Sequence, residues 1–403
     1  MPEALSADPG YAASYAESLF TPDALRAPFA HYHAIRELGP AVWLASDNVY
    51  AIGRFADVRS VLRAADIWIS GEGVGFNARF NAPAEYPPVI RRDGESHKRL
   101  RRVLVRPLMP AALKTHRAML KALISERIAA LVGQGEFDAI RDVAQHLPLE
   151  AVAHLVGLGD ADRSRMLEWA AASFNAIGPL ALDGSDDPAL LADLEQQVEV
   201  RRHLLGIDPA TIRPGSWAAG LFDAVEDGEL TLGDARAALA GLVLPSLDTT
   251  INAKGNLLHA IATHPDQWQA LKRDPALIPA AVQEGMRFSP VVRWFSRVAA
   301  RDTDIDGVPL AAGARAMLLY GAANRDERHY SQPHRFDIAR NPTDQLGWGT
   351  GPHMCAGAAL ARIEMEVMLE ALVEQVTTLH TGAHRYGANR GLYGFETLKL
   401  RLA

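Results

Sequence analysis

Gly347-Trp348-Gly349-Thr350-Gly351-Pro352-His353-Met354-Cys355-Ala356-Gly357 contains the only cysteine of this 403-residue chain and opens directly onto a stretch of helical period. A solitary cysteine forms no internal disulfide and no multi-cysteine metal site. It remains a buried small hydrophobe, a nucleophile or a single axial thiolate ligand, and burial is the commonest state of a free thiol. The neighbours favour the ligand. Gly349, Gly351 and Gly357 let backbone approach something large and flat, and the amides opening the next helix stabilise a thiolate. A nucleophile needs a base and an oxyanion site. His353 is the one candidate base in the loop, and nothing there suggests an oxyanion site.

The run from Trp348 to Gly357 resembles the haem-binding loop of the cytochrome P-450 family, Phe-Gly-x-Gly-x-His-x-Cys-x-Gly, with Trp348 in place of phenylalanine. The resemblance implies haem b as cofactor and Cys355 as its proximal metal ligand, a thiolate whose electron donation favours O–O cleavage. It implies that Gly349 and Gly357 shape the cofactor loop. Trp348 is expected beside the sulfur, donating its indole N–H locally. The resemblance runs over residues 35–400.

Apolar residues make up 48% of the chain, ample for a large core, and the formal charge of -7 argues against nucleic acid. Apolar runs are far too short to span a bilayer, and no secretory signal is evident. One cytoplasmic domain covering 1–403 is expected, with no membrane anchor and no room for a fused flavin reductase. Strand-like runs fall at 41–45, 49–52 and 314–319, and helical period dominates at 112–131, 149–156, 187–205, 232–264, 278–287 and 358–376. Gly-Pro-rich segments 71–90 and 178–188 read as loops, matching in the family the roof of the substrate pocket. The fold class is therefore mainly α (α+β), helical with a small sheet, as in the P-450 fold.

Glu284 and Arg287 share a helix face and resemble the family's buried Glu-x-x-Arg pair, with Arg335 expected as its third, structural member. In the dense basic run His97-Lys98-Arg99-Leu100-Arg101-Arg102, His97 and Arg101 lie four apart and point the same way from a helix. Composition alone makes that run a solvated face. The family resemblance instead implies that His97, Arg101, Arg297 and His353 hold the two haem propionates. In Leu244-Pro245-Ser246-Leu247-Asp248-Thr249-Thr250, Pro245 removes a helical donor and kinks the axis. Here Asp248 and Thr249 match the family's acid–alcohol pair that delivers protons during oxygen activation, while Pro245 and Ser246 replace its two small residues.

Trp68, Val74, Phe76, Phe174, Ile177, Ala240, Leu244, Val292, Phe295 and Phe395 are the expected pocket lining, an apolar and partly aromatic set. Several of these stretches are similar to the subgroup that demethylates methoxybenzoates. At its carboxylate-binding positions this chain has Glu72, Ala240, Gly241 and Leu244, so a neutral aromatic is expected, or an acid held by Arg79 or Arg293. The combined expectation is an O2-dependent monooxygenase that hydroxylates or O-demethylates a small aromatic. Its electrons come from a ferredoxin or flavodoxin with an NAD(P)H-dependent reductase, docking near Lys98, Arg99, Arg102 and Arg362. The alternatives are a peroxide-driven haem-thiolate enzyme and a non-catalytic haem sensor or carrier.

Overall fold

In the computed structural model, which describes residues 12–158, 165–180 and 187–403, the strand-like runs assemble into two sheets and a hairpin. In chain order the strands are β1 (Ala13–Tyr15), β2 (Val42–Leu44), β3 (Val49–Ile52), β4 (Trp68–Ile69), β5 (Glu136–Asp138), β6 (Trp294–Ala299), β7 (Thr303–Ile305), β8 (Val308–Leu310), β9 (Arg315–Leu319), β10 (Leu379–Tyr386) and β11 (Phe395–Leu402). The larger sheet runs β1-β2-β3-β9-β6-β4, the smaller β10-β11-β5, and β7 pairs with β8. Every residue of β2 and β3 is buried, consistent with their unbroken apolar character. Register places Arg297 of β6 opposite Ala316 of β9, which fixes a cation at the centre of the sheet.

Helices make up most of the rest, as the periodicity predicts. The largest core cluster joins Leu257, Leu258 and Ile261 of the Asp248–Thr263 helix to Ala281 and Val282 of Ile278–Phe288 and to Val367, Met368 and Leu372 of Ala358–Gln375. Each large aliphatic buried there contributes roughly 1.5–3 kcal/mol. An ion pair crosses the same core: Lys254 Nζ lies 2.7 Å from Glu364 Oε2, and both side chains are buried.

Two expected helices are broken. The 112–131 run becomes Pro110–Leu113 and Arg117–Leu131, and at the break the Thr115 hydroxyl donates to the Ala112 carbonyl in competition with the backbone ladder. The 232–264 run becomes Leu232–Val243 and Asp248–Thr263. Pro245 has no N–H to donate, and the Ser246 amide and hydroxyl both turn to the Val243 carbonyl, at 3.2 and 2.7 Å. Within 71–90 a short helix, Ala78–Asn81, forms on the Asn77 cap. The Asn77 amide donates 2.7 Å bonds to the carbonyls of Ala176 and Gly178, tying the two roof segments together. Residues 181–186 of the other expected loop lie outside the described residues.

Candidate active site

Cys355 is held by a loop that only glycine permits. Gly349 and Gly351 have φ of 66° and 72°, and a Cβ at Gly351 would meet the Leu62 carbonyl oxygen at 2.3 Å. The Cys355 amide donates to the Trp348 carbonyl at 2.8 Å, closing the loop. Its thiol is exposed to an interior cavity of about 350 Å³. Burial within the protein pushes the thiol pKa up. The Gly357 amide, the Arg101 and Arg362 guanidinium groups and the Ala358 amide oppose that shift. The two amides by hydrogen bonding and the two guanidinium charges favour the thiolate once a cation takes up its charge.

Around this loop the expected cations converge. Arg101, Arg297 and His353 border the cavity; His97 stands behind them, its ring centroid 4.2 Å from that of His353. Arg101 donates to the Met354 carbonyl, Arg297 to the Ser296 carbonyl at 2.8 Å, and His353 Nε2 lies 3.7 Å from Asp93. Asp93 also accepts the Ser70 and Gly71 amides. Burial, then the nearby charges of His353 and Arg101, brings the His97 pKa down to about 4, so the ring is neutral. Its Nε2 is buried without a hydrogen-bond partner. An orphaned ring nitrogen beside two arginines fits the carboxylates of a haem, and the glycine cradle fits its flat ring.

Behind the loop, Glu284 and Arg287 are fully buried and joined by two 2.7 Å bonds. Arg287 also donates to the carbonyls of Asn324, Pro333 and Arg335. The expectation for Arg335 needs correction: its side chain is exposed and it offers only its carbonyl. The side chain that reaches Glu284 is Arg340, at 3.4 Å, because the turn at 331–340 sends that guanidinium inward onto the carbonyls of Ser331 and Gln332. Asn324 links this pair to the cysteine loop. Its Oδ1 accepts the Leu346 amide at 2.8 Å, and it is wholly buried.

Across the cavity the break in the long helix presents Pro245, Ser246, Thr249 and Thr250. Thr249 Oγ1 donates to the Pro245 carbonyl at 2.6 Å, and Thr250 Oγ1 to that of Ser246 at 2.9 Å. Asp248 lies in the first turn of the second helix rather than mid-helix, and it does not border the cavity. A helix N-terminus favours a carboxylate by roughly 0.3–1 kcal/mol. Burial nevertheless raises the Asp248 pKa to about 7, so desolvation wins.

Seven of the ten expected lining residues border the cavity: Val74, Phe174, Ile177, Ala240, Leu244, Val292 and Phe295. Three do not. Trp68 is buried in β4, paired with Ala299; Phe76 stacks on Trp294 at 4.3 Å; Phe395 stacks on Tyr386 at 4.2 Å in the smaller sheet. Neither expected acid anchor reaches the cavity either. Arg293 is consumed by the carbonyls of Leu25, Asn389 and Leu392, while Arg79 borders an outer depression beside Leu194. Sequence reasoning missed Tyr86, Gln197 and Arg201, which do line it. The helical spacing of 197, 201 and 205 was a usable signal.

Trp348 lies along the cavity with its ring 5.6 Å from the Arg362 guanidinium. The expected local bond is absent: the indole Nε1 is buried and has no acceptor among the described residues. On the outer face, Lys98, Arg99 and Arg102 pair with Glu95, Asp234 and Glu229. Among the described residues no helix is long and apolar enough to cross a membrane.

A cysteine open to an apolar cavity, loop glycines at positive φ and a cluster of anion-seeking groups suit a large, flat, dianionic cofactor such as haem. The comparisons agree. The cytochrome P450 family model matches residues 216–380. Cytochrome p450 CYP199A2 of Rhodopseudomonas palustris is 32% identical over 387 residues, spanning 95% of this chain and 93% of the relative. Cytochrome P450 107B1 of Saccharopolyspora erythraea is 30% identical over 321 residues, 78% of this chain and 77% of that one. The crystal structure of P450BioI in complex with an acyl carrier protein superposes with a TM-score of 0.83 at 23% identity, covering 94% of this chain and 99% of that chain. The chain belongs to the cytochrome P450 family: it is a monooxygenase with the P450 fold and haem b as cofactor.

Proposed function

We propose that Cys355 is the proximal iron ligand and that the enzyme inserts one oxygen atom from O2 into a small aromatic substrate, by hydroxylation or O-demethylation. The observation that carries the reading is the Cys355 thiol, open to a cavity bordered by Phe174, Val292 and Phe295 and flanked by the unpartnered His97 Nε2. Thiolate-ligated haem supplies the activation of dioxygen by two electrons and two protons, giving product and water. The residues of this chain do the rest. Arg101 and Arg297 carry the charge that balances the propionates, with neutral His97 and His353 completing the hydrogen bonds. Thr249 offers a hydroxyl at the cavity wall, and Asp248, with its pKa near 7, exchanges a proton at physiological pH. That pair favours oxygen activation over a peroxide-driven reaction, which needs no such relay.

Electrons are assigned to an external ferredoxin or flavodoxin with an NAD(P)H-dependent reductase. Support comes from the exposed cations Lys98, Arg99 and Arg102, on the helix whose inner side carries His97 and Arg101. The pairs of Lys98 and Arg102 are surface pairs worth under about 1 kcal/mol, and Arg99 is only 3.5 Å from an Asp234 already held by Arg92, so an acidic partner competes for these cations readily. The test is spectroscopic and kinetic. The reduced carbon monoxide complex should show the red-shifted Soret band of thiolate ligation, and Cys355→His should abolish it. Aromatic ethers and phenols should drive reductant consumption with ferredoxin faster than peroxide alone supports turnover. A normal histidine-type band in the unaltered protein would sink the ligand assignment.

A further inference from the structure

The cavity carries a cation that the cofactor does not account for. Arg201 lies on the Pro188–Leu205 helix, with Gln197 and Leu205 one turn to either side, and all three border the cavity. Among the described residues no carboxylate pairs with Arg201, and its one hydrogen bond, to the Tyr86 carbonyl, is long at 3.4 Å. The nearby acid on its own helix, Glu199, is occupied by Arg165 at 2.9 Å. Arg91 stands close enough for the charge of Arg201 to lower its pKa further after burial, yet its own guanidinium is bound to the carbonyls of Phe80, Asn81 and Ala82.

The charge balance points to an anion. No aspartate or glutamate borders the cavity among the described residues, whereas Arg101, Arg201 and Arg297 all do. Two propionates would balance Arg101 and Arg297 and leave Arg201, the third arginine on the cavity wall, uncompensated. Among the described residues this half-buried guanidinium has only the long Tyr86 carbonyl bond in place of its lost hydration, and desolvation lowers its pKa. Its planar fork suits a carboxylate, and the Gln197 amide adds a neutral donor on the same helix face.

We propose that Arg201, assisted by Gln197, anchors the carboxylate of the substrate, making the substrates carboxylic acids with an apolar body that extends toward Phe174, Val292 and Phe295. The inference rests on the monooxygenase reading above and replaces the expectation of a neutral substrate. The test is a titration of the haem-loaded enzyme with phenylacetate, cinnamate, octanoate and dodecanoate, each beside its methyl ester, read by the Soret shift and by calorimetry. At least one acid should bind about tenfold or more tighter than its ester, the size of one charge-assisted hydrogen bond. Arg201→Gln should remove that preference, Arg201→Lys should restore part of it, and ester and imidazole affinities should be unchanged in both. No acid binding, equal binding of acids and esters, or an acid preference that survives Arg201→Gln overturns the proposal. The carbon monoxide band of each variant is read separately, so a failure of thiolate ligation appears there and not in the acid–ester ratio.

Discussion

Replacing Asp248 by asparagine tests whether burial or the helix terminus governs this acid. Its pKa stands at about 7 against an ordinary 3.8. A difference of about 3 units corresponds to roughly 4 kcal/mol of linkage between protonation and folding. The sign follows from the direction. The folded state holds the proton more tightly than the unfolded chain, so this contribution is fully present below about pH 4. It is lost as pH rises toward 7 and is constant above. An asparagine at this position does not titrate. In urea denaturation of the haem-loaded enzyme, followed by circular dichroism from pH 4.5 to 8, the wild type should lose stability relative to Asp248→Asn by about 1.4 kcal/mol per pH unit up to pH 7. Turnover should match: wild-type kcat falls above about pH 7 as the donor loses its proton, and the slower variant lacks that limb. A stability gap that does not vary with pH, or one that changes in the opposite sense, refutes the claim that desolvation dominates here.

Lys254→Met should destabilise the fold by about 3–5 kcal/mol, because it strands the buried Glu364 charge, and Lys254→Met with Glu364→Met should recover most of the loss in the same denaturation assay. Arg340→Ala should lower the melting temperature and the haem content on purification, while Arg335→Ala, at an exposed side chain, should stay within about 0.5 kcal/mol of wild type. Trp348→Phe removes an indole N–H buried without an acceptor, worth about 1–3 kcal/mol. It also weakens a cation–π contact with Arg362 worth about 0.5–1 kcal/mol. The melting temperature should therefore rise.

What the sequence made legible were features fixed by short-range spacing. The cysteine loop, the His97/Arg101 face and the Glu284/Arg287 pair each lie within one loop or helix, so local geometry determines which side chains converge. The misreadings concern long-range placement. Trp68, Phe76 and Phe395 have the composition of pocket residues, yet sheet pairing and aromatic stacking turn them into core. Choosing Arg340 over Arg335 depends on how the turn at 331–340 closes, which no periodicity encodes. Pro245 announced a kink. That the helix instead ends and restarts depends on Ser246 binding the Val243 carbonyl.

The same contrast explains the cost of burying Glu284 and Arg287. A fully buried ion pair gains little net stability over apolar residues of similar size, since desolvation offsets most of the attraction. Positioning is what this pair accomplishes. Arg287 binds three carbonyls on the segment 324–335, Glu284 accepts the Asp337 amide, and Asn324 passes the constraint to the Leu346 amide, nine residues before Cys355. A helix, a turn and the cysteine loop are thereby fixed to one another by polar bonds. Apolar contacts could supply comparable energy but not such directional registry, because dispersion tolerates small shifts that a hydrogen bond near 2.8 Å does not. With Cys355 as the proposed iron ligand, a loop whose thiol must meet a metal at a set distance needs that registry more than it needs stability.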